Sequence, residues 1–138
     1  MRISDKMIEI QKLHGFNRVY QAECFLSEFS DVFGKNKGEQ ARYLKWLYTW
    51  LVVLDREGMR ALALSKFEHL QDTENPRLHV IRDPHSKINE RYIYIYEDGE
   101  AAIPLTVFME KSSSDNKAAI IRAKNIFKEL KEADDGTS

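Results

Sequence analysis

Asp98-Gly99 sits between two apolar runs, Arg91-Tyr92-Ile93-Tyr94-Ile95-Tyr96 and residues 101–109, and no other stretch constrains this chain as much. An Asp-Gly pair supplies the positive φ angles of a tight turn whose twist matches that of the strands on either side. The run before it alternates. Tyr92, Tyr94 and Tyr96 fall on one face of a strand, and Arg91, Ile93 and Ile95 on the other. The spacing therefore predicts an antiparallel hairpin. Pro104 has no N–H to give to a ladder, so the second strand needs a bulge at that point or must lie at an edge.

Upstream the periodicity changes from two to 3.6. Residues 39–56 contain neither Gly nor Pro, and Leu44, Leu47, Leu51 and Leu54 recur at three- and four-residue steps. Tyr43, Tyr48 and Trp50 lie alongside them, which predicts a long amphipathic helix that Gly58 stops. Gly34-Lys35-Asn36-Lys37-Gly38 is a break before it. A shorter helix is predicted over 23–32, with Phe25, Leu26 and Phe29 on one side. Residues 17–22 read as a first strand, and 4–13 as a short helix ended by Gly15. After Gly58 the chain leads to a polar turn at 71–75 and a strand over 78–82. Residues 115–131 form a last helix, capped by Ser114 or Asp115, with an apolar stripe of Ile120, Ala123, Phe127 and Leu130.

Helices in the first half and alternating strands in the second predict an α+β fold with a mostly antiparallel sheet and a C-terminal helix. One domain is expected over 17–131. An arm or short helix (1–16) precedes it, and a small polar tail (132–138) follows it.

Composition narrows the function. The net charge is −1 and the pI about 6.4, whereas a protein living on phosphate contacts is usually basic. Cys24 is the only cysteine, so an intramolecular disulfide and a multi-cysteine metal cluster are excluded. No apolar run has the roughly 20 residues of a membrane span. Met1-Arg2-Ile3-Ser4-Asp5-Lys6 lacks the apolar region of a signal peptide. A cytoplasmic protein is expected.

The order of elements from residue 67 to 130 resembles the RelE/HigB-like toxins of type II toxin–antitoxin systems, in their phage-derived branch. Three features carry the resemblance: a strand ending in Arg82, a strand that begins Arg91-Tyr92-Ile93-Tyr94, and the segment Phe108-Met109-Glu110-Lys111-Ser112-Ser113. The family's last strand often ends in Phe-x-Lys-Lys, so here a glutamate, Glu110, replaces the first lysine. The resemblance implies N-terminal helices packed on a curled, mostly antiparallel sheet. It also implies a ribosome-dependent mRNA endonuclease in which the RNA's own 2′-hydroxyl is the nucleophile, so no metal or other cofactor is needed. Arg82 and Arg91 would then bind phosphate through planar, permanently charged forks, and Lys111 would assist. His79, or His85, would be the candidate to titrate near neutral pH. The implied partners are an antitoxin, expected to be a small helix-turn-helix protein, together with mRNA and the ribosome. No membrane is implied, and a homodimer is left open.

Each residue also has a plainer reading. Strand-end arginines are usually solvated charges. A tyrosine stripe is more often half-buried packing than a base-stacking platform. His79 inside a strand reads as structural, His85 as an exposed loop residue, and Trp46 and Trp50 as core. His14 and His69 are given no role. The competing function is a binding module that kept the fold, lost cleavage and acts through protein partners, as the gyrase-poisoning ParE branch does. The pI, Glu110 and Pro104 favour it.

Overall fold

The computed structural model describes residues 16, 19, 25–33, 37–70, 73, 76–97 and 101–136. The expected helix over 4–13 and the Asp98-Gly99 turn lie outside them. The chain is α+β: helices come first, then a four-stranded sheet in the order β1-β2-β3-β4, then a C-terminal helix.

Helix α1 (Phe25–Phe33) presents Phe25, Phe29 and Phe33, one per turn, to the core. Helix α2 (Lys37–Glu57) buries Leu47, Leu51 and Leu54, as the 3.6-residue spacing requires. Gly58 ends α2 at φ 59°, a left-handed conformation that costs a residue with a Cβ and suits glycine. The chain then winds through a 3₁₀ helix (Gly58–Ala63) into β1 (Phe67–His69).

Strands β2 (His79–Arg82), β3 (Glu90–Glu97) and β4 (Ala101–Met109) complete an antiparallel meander. Pro104 is accommodated by a bulge. Tyr94 pairs with Pro104 and Ile93 with Thr106, so Leu105 is the extra residue. Val19 adds a single parallel bridge to Ala102, beyond the β4 edge, and its N–H donates to Asp55 Oδ1 at 3.1 Å. The expected first strand over 17–22 is thus represented, among the described residues, by this bridge.

The sheet has two covered faces. On one, Phe67, Ile81, Tyr92, Tyr94, Ala102 and Val107 pack with α1 and α2. On the other, Leu78, Val80, Ile93, Ile95, Ile103 and Leu105 pack with α3 (Ser113–Gly136), which enters through Ala119 and Ala123. The tyrosine stripe is therefore core. Tyr92 and Tyr94 are 1% and 0% exposed, leaving no ring face for a nucleobase. Helix α3 begins at Ser113, and Asp115 works from inside its first turn. Its Oδ2 accepts the backbone N–H groups of Lys111 and Ser112 at 2.8 and 3.0 Å. The helix continues to Gly136, past the boundary expected at residue 131.

Candidate functional site

Arg82 and Arg91 are direct cross-strand partners at one end of the sheet. Residues opposite each other in an antiparallel pair share a face and stand about 4.5–5.5 Å apart at Cβ. Their shared face is the one covered by α3, because Arg91 also lies opposite Phe108 of that core. Lys111 follows β4 at the same end and is exposed. Three cations therefore stand at one sheet end, Arg82 on β2, Arg91 on β3 and Lys111 just past β4.

Each arginine already has a carboxylate. Arg82 Nη1 lies 3.5 Å from Glu68 Oε1, with both side chains about one-third to two-fifths exposed, so water competes for the pair. Arg91 Nε lies 2.6 Å from Glu110 Oε2, with side-chain exposures of only 16% and 22%. This second contact is a close charge pair without well-directed hydrogen-bond geometry, so the Nε–H and the Oε2 lone pairs stay poorly satisfied. The Glu110 backbone is fixed from the neighbouring turn. Its N–H donates to Asn89 O at 3.1 Å, and Asn89 Nδ2 donates back to Glu110 O at 2.9 Å. Asn89 holds φ 53°, a conformation that asparagine tolerates better than most residues. The glutamate read as a missing cation is thus an anion clamped beside the central arginine.

His79 is on the other side of the sheet. It lies opposite Tyr94, and the odd separation from Arg82 sends the two side chains to opposite faces. The structure does not bring it to the arginines, which corrects the grouping expected from sequence. His79 instead sits among His69, Tyr94 and Tyr96, with ring centroids 4.7, 5.4 and 4.9 Å away. Tyr94 and Tyr96 hydroxyls are 3.0 Å apart, and Tyr96 donates to Gly58 O at 3.2 Å. His79 Nδ1 is buried with no hydrogen-bond partner. Burial first, then the nearby His69 and Arg77, lower the His79 pKa to about 4. The ring is neutral at pH 7 and ill-suited to take up a proton.

That shift has a sign. The folded pKa lies below the unfolded value of 6.5, so protonation favours the unfolded chain. The stability is complete above pH 6.5 and drains as pH falls toward 4. The full span corresponds to about 3 kcal/mol at about 1.4 kcal/mol per unit. A His79→Gln variant should show a melting temperature that falls less between pH 7.5 and pH 5 than the parent's. Parallel curves for the two proteins would mean that His79 carries no such coupling.

A concavity on the α2 side of the sheet was not legible in the sequence. Arg42, Tyr43 and Trp46 of α2 face Asp83, Ser86, Lys87 and Glu90 of the β2–β3 loop and the start of β3, enclosing about 350 Å³. Glu90 is 2% exposed. Ser86 Oγ donates to its Oε2 at 2.5 Å, and burial pushes its pKa up against that hydrogen bond. Buried Tyr92 Oη has no hydrogen-bond partner, and the Tyr92 ring packs against Trp46 with centroids 6.0 Å apart. The loop is pre-built: His85 N–H donates to Asp83 Oδ1 at 3.0 Å and Ser86 N–H to Asp83 O at 3.1 Å.

Comparison with family models, with curated proteins and with solved structures returns no match. No helix among the described residues is long and apolar enough to cross a membrane, and among those residues no cluster of three or more His, Cys, Asp or Glu side chains could hold a metal.

Proposed function

We propose that this chain is a toxin of the RelE/HigB type that cuts translated mRNA on the ribosome and is held in check by a cognate antitoxin. The observation that carries the reading is the in-register pair Arg82 and Arg91, with Lys111 at the same sheet end. Two adjacent guanidinium forks can hold the non-bridging oxygens of one phosphate and neutralise the charge that grows there as the bond breaks. The 2′-oxygen attacks the adjacent phosphorus and its proton leaves to a base. The 5′-oxygen departs and takes up a proton, leaving a cyclic phosphate and a new 5′-hydroxyl end. His79 has no part in this scheme. The proton acceptor is then supplied by another group, from this chain or from the ribosome.

Induced expression should slow growth and create new mRNA 5′ ends, and Arg91→Ala should abolish both. Normal growth at high soluble expression, with no new ends, sinks the proposal. That result would favour the second reading, a binding module acting through protein partners. The Arg91–Glu110 pair supports this second reading, because it leaves the central arginine already neutralised.

A further inference from the structure

We propose that the cleft between α2 and the β2–β3 loop is a binding site for a guanine nucleotide, presented singly or as an unstacked base of single-stranded RNA. The walls set the chemistry. Glu90 lines the cleft with a buried carboxyl that already accepts the Ser86 hydroxyl at Oε2. Such a group is best matched by a ligand edge that offers adjacent N–H donors. Guanine does so with N1–H and its exocyclic amine, whereas adenine and cytosine put a ring acceptor beside their amine. Trp46 gives one wall the aromatic surface that bases favour, and the Tyr43 ring beside it is stacked on Phe33 and covered by the Arg42 guanidinium. Arg42 and Lys87, both exposed, stand at the rim where a phosphate would emerge. The half-open cleft's volume of about 350 Å³ falls within the range of small-ligand sites, roughly 300–1,000 Å³.

Placement strengthens the case. The cleft lies at the same sheet end as Arg82 and Arg91 but on the opposite face, since Glu90 shares the α2 side with Tyr92 and Arg91 the α3 side with Ile93, and the β2–β3 loop runs between them. Arg82 is followed directly by Asp83 of the cleft, and Arg91 preceded directly by Glu90. One strand of RNA rounding this loop can set a phosphate on the arginines and a base in the cleft. The inference thus deepens the RNA reading by naming the base. Its test needs no ribosome and no cleavage, so either can fail while the other stands.

The experiment is calorimetric titration of the purified full chain with GMP, AMP and CMP, and with oligouridylate carrying one or no guanine. GMP should bind at least about 10-fold tighter than AMP or CMP, the discrimination that one paired contact gives. Glu90→Gln should lose about that factor without a change in circular dichroism. Lys87→Ala, at an exposed position, should weaken GMP but not guanosine. Preference for the guanine oligonucleotide over GMP assigns the site to RNA, and the reverse assigns it to a free nucleotide. Equal binding of all three nucleotides overturns the proposal, as does no binding at millimolar concentration. Binding of arginine ethyl ester without GMP also overturns it and makes the cleft a receptor for a peptide arginine.

Discussion

Glu110→Lys should turn a weak inhibitor of growth into a strong one, with new mRNA 5′ ends rising on the order of 100-fold at equal expression. Glu110 holds a carboxylate 2.6 Å from Arg91 Nε, at a site only 16–22% exposed, so the pair is weakly screened by water. A phosphate arriving at Arg91 must displace that anion or approach against its charge. Removing the carboxylate frees the guanidinium, and a lysine there adds a cation beside it. Losing one preorganised charge donor typically costs on the order of 100- to 1000-fold in rate, so freeing one should return a comparable factor. Glu110→Gln should fall between parent and lysine variant. The double variant Arg91→Ala/Glu110→Lys should be harmless, which shows that the gain runs through Arg91. If Glu110→Lys is less active than the parent, Glu110 is the proton acceptor and not a plug. If it and the parent are both inert, the binding-module reading takes over.

The sequence carried the elements well where burial follows a period. The leucines of α2 are spaced for a helix face, and three of them, Leu47, Leu51 and Leu54, are buried. The hairpin pairing and the bulge at Pro104 follow from local chemistry that tertiary structure had no reason to override. Strand β1 was not legible, because three residues, Phe67-Glu68-His69, are too few to show a period. Its existence depends on pairing with β2, which no local signal encodes. The site divides the same way. Arg82 and Arg91 were legible because each ends or begins a strand, and the parity that separates His79 from them followed once register was known. The clamp on Arg91 was visible only as a charge out of place at Glu110. Its effect depends on Asn89, whose bonds join backbone atoms distant in sequence. The Glu90 cleft was not legible, since its lining comes from α2 and from the loop and strand that follow β2. Glu90 carried no signal in the sequence, and it is buried in the folded chain, where Tyr43 and Trp46 of α2 line the same cleft.

Deleting residues 115–138 should leave a chain that is insoluble or melts more than about 10 °C below the parent. The apolar stripe of the last helix covers the protein's own sheet. Ala119 and Ala123 are both fully buried, and their small side chains let the α3 backbone come close to β4. Ile120, Ile126 and Phe127 flank them and complete the seal over Ile93, Ile95, Ile103 and Leu105. Arg122 fastens the helix: its Nε–H donates to Thr106 Oγ1 at 3.1 Å, beside the bulge. Removing α3 therefore exposes a whole apolar sheet face, and burial at roughly 25 cal/mol per Å² makes that worth several kcal/mol. A loss of 1 kcal/mol moves the melting temperature of a domain this size by about 3–5 °C. The point variant Ala123→Asp, which buries a charge without removing the helix, should lower it comparably. A truncated chain that stays soluble and melts with the parent would mean that the α3 contact is not what holds the sheet. Ala123→Asp would then be equally silent.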